Sequence, residues 1–269
     1  MTHAYHTESY KGLKISIFQD DDPMNPFVEC DGEPDIITFM RRHDFTTRKE
    51  DSGLDPESFL KKAKAGNYFV RPLYAYIHSG IAFSLSRDGQ FTDRFDSGFA
   101  GFMFWTPKKR ESLGLSDSYI DSILQENETR ESWLVNSLES AVEVLNDYTN
   151  GNCYFYTVEN AEGETLDSCG GFLGDYDSEG GALSEARSSA DCHAKQETEK
   201  EKETILQATI RIQEVAEVLD SEMLAGLKSE SVLTRLAEKE HAEAQKEKDQ
   251  ATARLAALES ESEGEGENA

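Results

Sequence analysis

From His193 to the C-terminus the chain contains no proline, tryptophan, tyrosine or phenylalanine, and this limits what the segment can fold into. The run HAKQETEKEKETILQATIRIQEVAEVLDSEM is built from Ala, Glu, Lys, Leu and Gln, residues that lose little side-chain freedom in a helix. Pairs such as Glu197–Lys200, Glu199–Lys202 and Glu243–Lys246 stand three residues apart and support a helix weakly. Ile205, Ala208, Ile212, Val215 and Leu219 follow a heptad seam, whose register breaks near Gly226 and resumes at Leu233 and Leu236. Two arrangements fit, a short coiled coil and a helical hairpin folding back at Gly226. Either offers residues 193–258 for partner binding or homo-oligomer formation. Residues 259–269, ending ESEGEGENA, read as a disordered acidic tail.

Residues 1–192 have the opposite character, holding every aromatic residue and most glycines, and they read as one globular domain. Net charge over the whole chain is −26. The globular part is acidic in its own right, with 34 acidic against 17 basic residues. Such a surface repels nucleic-acid phosphates, and no Lys/Arg cluster is interleaved with aromatics, so direct nucleic-acid binding is not expected. No apolar run reaches eighteen residues, so no membrane span is expected. The start, MTHAYHTESYKG, lacks the charged and apolar regions of a signal peptide. Cys30, Cys153, Cys169 and Cys192 show no C-x-x-C spacing, which fits reduced thiols in a cytoplasm.

Within the globular part, LKISIFQ (13–19) alternates as a strand and DDDPMNPFVECDGEPD follows as an acidic loop. Pro34 is expected to open a short helix through Ile36, Ile37, Phe39 and Met40, ending near His43. DPESFLKKAKAG (55–66) has an Asp cap, proline at the first helical position and a closing glycine. NYFVRPLYAYI (67–77) reads as a strand, and FAGFMFW (99–105) as a central strand buried on two sides. LSDSYIDSILQ reads as a Ser-capped helix. RESWLVNSLESAVEVLNDYTNG carries one apolar stripe, Leu134, Leu138, Ala141, Val142, Leu145 and Tyr148, ended by Asn150-Gly151. NCYFYTVEN and GETLDSC form a strand pair. The predicted class is α+β, a mostly antiparallel sheet with flanking helices followed by the long helical region.

The stretch Tyr74–Trp105 contains two related triplets, His78-Ser79-Gly80 and Asp96-Ser97-Gly98. The alternation of Ile81, Phe83 and Leu85 selects a three-residue hairpin loop at Arg87–Gly89, pairing Leu85 with Phe91 and Ile81 with Phe95. Extended, that register sets His78 opposite Gly98 and Asp96 opposite Gly80. His78 and Asp96 then become diagonal neighbours about 7–8 Å apart, with Arg94 on the same face. A carboxylate beside an imidazole fixes its tautomer and raises its basicity. The structural alternative is a His–Asp hydrogen bond holding the end of a sheet. Ser79 and Ser97 fall on the other face, so a Ser-His-Asp triad is not expected. Cys169 in SCGGFLGD is a candidate nucleophile, although the segment lacks the Lys-Ser/Thr ending of a phosphate-binding loop. The acidic loop Asp20–Asp22 does not follow the ligand order of a calcium loop. No metal and no cofactor are expected.

Four blocks, RPLYAYIHSG, RFDSGFAGFMFW, DYTNGNCYFYTVE and DSCGGFLGD, occur in that order. Together they resemble a family of proteins encoded by bacteriophages and plasmids, over roughly residues 15–190. Phe95 stands where that family usually has tryptophan, and NPFVECDGEPD departs from its early block. The resemblance implies a mobile-element origin and action in the cytoplasm of a bacterial host cell. The expected function is that of an accessory protein that binds a host protein, in its sharper form an anti-defence or host-takeover role through a DNA-mimic-like acidic surface. The alternative is a small hydrolase or nucleotide-processing enzyme using His78 and Asp96, with Arg94 or Cys169.

Overall fold

The computed structural model describes residues 3–86, 96–224 and 232–264. In chain order the elements are β1 (His6–Tyr10), β2 (Leu13–Gln19), α1 (Pro26–Glu29), β3 (Asp35–Thr38), α2 (Pro56–Ala65), β4 (Phe69–Ile77), β5 (Ile81–Ser84) and β6 (Ser97–Trp105). They continue with α3 (Pro107–Ser112), α4 (Asp117–Ile123), α5 (Arg130–Asn150), β7 (Cys153–Glu159), β8 (Thr165–Leu173), α6 (Ala182–Leu224) and α7 (Val232–Gly264). Two four-stranded antiparallel sheets, ordered β1-β2-β7-β8 and β3-β6-β4-β5, make this an α+β protein. The chain divides into two compact units. One comprises Met1–Phe18, Phe155–Gly170 and Asp177–Ala269, the other Gln19–Tyr154 and Gly171–Tyr176.

In the second unit, strand β6 is interior to its sheet, and from Ala100 to Trp105 it is buried, with apolar residues on both faces. On one face Ile36, Leu73, Ala75, Ala100, Met103 and Trp105 pack with Leu134, Leu138, Ala141, Val142 and Leu145 of α5. On the other, Ile37, Phe102 and Phe104 pack with Phe59 and Ala63 of α2. Asp55 caps α2 by accepting from the N–H groups of Glu57 and Ser58, and Gly151 closes α5 in the left-handed conformation (φ 75°). Trp105 ties the central strand to α5 by donating its indole N–H to Ser137 Oγ at 3.0 Å.

Three expectations change. The segment after Pro34 is strand β3, paired with β6, and not a helix. Ile36 and Ile37 enter different cores on opposite faces, a period-2 demand that no helix meets. Strand β1 was not expected, because HTESY is polar. It forms through a tight turn in which Lys11 (φ 50°) and Gly12 (φ 74°) both take positive φ. The hairpin register also differs. β5 pairs with β4, Ile77 opposite Ile81 and Ala75 opposite Phe83, so His78-Ser79-Gly80 is itself the three-residue loop. β6 pairs with the other side of β4, Gly98 opposite Ala75 and Ser97 opposite Tyr76. The expected turn at Arg87–Gly89 lies outside the described residues.

A buried ion cluster fixes the segment after β3. Asp51 is fully buried and accepts from Lys62 Nζ, while Arg48 Nε stands 3.3 Å from its other carboxylate oxygen. Asp35 accepts from Lys109 Nζ at 2.9 Å.

In the first unit Leu13, Ile15, Ile17, Tyr156 and Val158 are buried, as are Leu183, Ala186 and Ala190 at the start of α6. Polar contacts bind that helix to the sheet. Arg187 donates two hydrogen bonds of 2.8 Å to Glu8, Lys11 lies 2.6 Å from Asp191, and Ser189 donates to Asp167. Helix α6 begins at Ala182, so the change of composition at residue 193 falls inside it. At 43 residues it is about 65 Å long. Helix α7 runs antiparallel beside it, as the ion pairs Arg211–Glu247 and Glu201–Arg254 show. Part of the expected seam is present, with Ala208 and Val215 buried opposite a heptad of small residues, Ala237, Ala244 and Ala251, while the side chains of Leu219, Leu233 and Leu236 lie outside those described. The fold-back expected at Gly226 lies outside the described residues.

Candidate functional site

Within the Tyr74–Trp105 stretch, strands β4 and β6 lie side by side and share a surface in the second unit. In β4, Tyr74 and Tyr76 alternate with Leu73 and Ala75, which are buried against α5. Directly opposed residues share a face, so Ser97 lies beside Tyr76 and Phe99 beside Tyr74. A β-bulge then intervenes: Leu73 faces Gly101 while Tyr74 faces Phe99, leaving Ala100 as the extra residue. Phe99 and Phe102 stand three positions apart, which in a regular strand would place them on opposite faces. The bulge brings them to the same one, with ring centroids 5.1 Å apart.

Helix α2 covers only part of this face. Beyond it, Phe99 is flanked by Phe39 (centroids 6.0 Å, stacked) and Tyr74 (6.3 Å, edge-on) and remains 44% exposed. Tyr76 stacks with His78 at 6.3 Å. Ile77, beside the loop, is 39% exposed. Next to Phe39 the chain continues into Arg41 and Arg42, both exposed and without an ion-pair partner among the described residues. The result is an aromatic cluster with an exposed ring at the end of the sheet.

The proposed catalytic pair does not assemble. His78 is exposed in the β4–β5 loop, and its backbone N–H donates to Gly80 at 3.1 Å. Asp96 is held through its backbone carbonyl, which accepts from Ile77 N–H at 2.9 Å. The side chains of His78 and Asp96 form neither a hydrogen bond nor an ion pair among the described residues. Arg94 lies outside them. Gly80 has a steric role: a Cβ there would stand 2.5 Å from Asn150 Oδ1 of α5. Gly98 has none, since a Cβ would meet nothing within 4 Å.

Cys169 belongs to β8 in the first unit, whereas His78 belongs to the second. It is exposed, and its Sγ lies 3.8 Å from the carbonyl of Gly170. Beside it, Asp167 accepts from Ser189 and, at 3.1 Å, from Tyr156. The Ser189 hydrogen bond lowers the Asp167 pKa, and burial followed by Asp167 pushes the Tyr156 phenol up to about 12. Among the described residues no group of three or more His, Cys, Asp or Glu side chains is placed to hold a metal ion. No described helix is long and apolar enough to cross a membrane.

Two asparagines of α5, missed in sequence, determine how the face ends. Asn146 accepts from Phe83 N–H (2.6 Å) and donates to Phe83 C=O (3.1 Å), and Asn150 donates to Ile81 C=O (2.9 Å). They take up the outward backbone groups of edge strand β5, which would otherwise invite another strand. Their signal was the i,i+4 pair of amides at the end of an apolar helix. Neither a protein-family model, nor a curated protein, nor a solved structure matches this chain.

Proposed function

We propose that this chain is an accessory protein of a phage or plasmid that acts by binding a host protein in the bacterial cytoplasm, through the aromatic cluster of Phe39, Tyr74 and Phe99, of which Phe99 is exposed. The observation that carries this reading is the exposure of Phe99 inside an aromatic cluster that α2 stops short of covering. Aromatic side chains that stay exposed on a sheet lose the burial that normally stabilises them. They fit the well-packed anchors of protein interfaces. The blocks resembling the phage and plasmid family, PLYAYIHSG and DSGFAGF, are the ones that build this face.

The sharper reading, anti-defence activity through DNA mimicry, rests on the acidity of the chain. A mimic needs carboxylates in rows spaced like phosphates. Homo-oligomer contacts through residues 193–258 have less apolar surface to use, because α7 occupies the seam of α6. Among the described side chains of α6, Leu206 (57% exposed) and Ile210 remain.

The test is affinity capture from bacterial lysate with the full chain and with Phe99→Asp, each checked for an unchanged melting temperature. A stoichiometric partner held by the parent chain and lost by the variant supports the reading. Capture of no partner, or equal capture by the variant, sinks it. Competition by duplex DNA for the captured partner separates mimicry from ordinary docking. His78→Ala tests the enzymatic alternative, which requires loss of the biological effect at unchanged stability.

A further inference from the structure

Of the four outer edges, β5, β3 and β8 are finished differently. Edge β5 is closed by Asn146 and Asn150. Edge β3 is closed by its own loop: Thr47 N–H donates to Ile36 C=O, and the Thr46 and Thr47 hydroxyls accept from Thr38 and Ile36 N–H. Edge β8 has no such cover. Along Thr165–Gly170, among the described residues, no backbone group bonds to any element beyond its sheet neighbour β7. The one outward donor in use is Ser168 N–H, which its neighbour Asp167 accepts locally at 2.8 Å.

The geometry points to β8 as a site of strand addition, taking an extended, basic segment of another protein that carries an aromatic residue. The inference does not depend on the aromatic face of the other unit. Main-chain pairing along an open edge supplies affinity, and alternate side chains supply specificity. On this side of the sheet Phe18 and Phe155 stack at 4.9 Å, and the next position outward is Gly170, close enough that a Cβ would lie 3.1 Å from that of Phe155. The aromatic ladder therefore ends over a glycine floor. A ring on the added strand opposite Gly170 would lie across that floor and extend the stack, as aromatic residues do over strand glycines. Four residues back along the strand, past Ser168, Leu166 is on the same side, is 38% exposed and offers a further contact.

Charge selects the partner. From Glu159 to Ala186 the sequence carries acidic residues and no Lys or Arg. A second copy of this chain would bring that acidic edge against itself, whereas a basic strand is attracted to it.

The probe is the peptide acetyl-Lys-Val-Lys-Trp-Lys-Val-Lys-amide, titrated into the full chain at 150 mM salt, with amide hydrogen exchange read over residues 165–170. The control is the same peptide N-methylated at every residue, which keeps the charge and removes the backbone donors from both edges of the strand. Binding of the first peptide alone is expected, with new protection at Thr165–Gly170. Ser168→Pro, which removes an outward donor, and Leu166→Lys, which adds like charge, should each weaken it at least tenfold. If Ser168→Pro fails to fold, Leu166→Lys decides. Equal binding of the N-methylated peptide, protection elsewhere, no binding at millimolar peptide, or a dimer of the full chain dissolved by Leu166→Lys would each overturn the inference.

Discussion

Replacing Asn146 by Asp changes one atom of a side chain that holds the edge of the second sheet, and the result should depend on pH. In the parent chain the amide oxygen accepts from Phe83 N–H at 2.6 Å and the amide nitrogen donates to Phe83 C=O at 3.1 Å. Aspartate keeps the acceptor but turns the donor into a second, charged acceptor facing a carbonyl oxygen. Losing one net hydrogen bond costs about 0.5–1.5 kcal/mol. A negative charge near the C-terminal end of α5 adds about 0.3–1 kcal/mol. The expected destabilisation at pH 7 is therefore about 2 kcal/mol. Asn146→Ala loses both bonds without adding charge, and about 1–3 kcal/mol is expected, toward the low end because water reaches this edge. The two variants separate in acid. In Asn146→Asp the folded state prefers the protonated form of the introduced carboxyl, which can donate again, so its folded pKa is raised above the unfolded value. The charge penalty is then absent below the unfolded pKa of about 3.9 and complete above the folded one, and Asn146→Asp should approach the parent as pH falls while Asn146→Ala does not. Urea unfolding followed by tryptophan fluorescence reports on this unit alone, since Trp105 and Trp133 are the only tryptophans and both lie in it. An Asn146→Asp variant within about 0.3 kcal/mol of the parent at pH 7, well below the hydrogen-bond and charge contributions together, or one whose deficit persists in acid, would refute the edge-capping account.

Asp51→Ala leaves Lys62 and Arg48 without the buried carboxylate that pairs them, and should cost about 3–5 kcal/mol in the same urea assay. Burial first, then Asp20 and Asp147, pushes the Cys153 thiol up to about 11, so a disulfide reagent at pH 8 should modify exposed Cys30, Cys169 and Cys192 quickly and Cys153 only on unfolding. Because its hydrogen bond from Ser189 lowers the Asp167 pKa, Asp167 contributes stability that is complete above its unfolded pKa and lost as pH falls through the folded one. Asp167→Asn should flatten the acid limb of a helix-signal pH titration, and an unchanged limb would contradict the assignment.

Where one physical pattern dominates a segment, sequence and structure agree. The Asp55-Pro56 start of α2, the apolar stripe of α5 and the two-sided strand β6 all follow from local chemistry and period. The seam of Ala208 and Val215 was legible for the same reason. Disagreement arises where local chemistry permits two answers. Ile36 and Ile37 fit a helix as well as a strand until two cores claim them separately. His78 and Asp96 approached each other on paper because adjacent apolar runs were assumed to pair with each other, whereas β4 took one neighbour on each side. The bulge at Ala100 shifted the alternation by one residue, and no local signal announced it.

By itself, then, the sequence determined the class of the fold, its acidity, its longer helices and part of its seam, because propensity, capping and periodicity act over a few residues. Only the tertiary structure decided strand order, the partner of each edge and which aromatics stay exposed. Those depend on which distant apolar faces exclude water together. The triplets at His78 and Asp96 therefore end as a loop and a strand entry beside an aromatic surface, with Gly80 close against the Asn150 side chain.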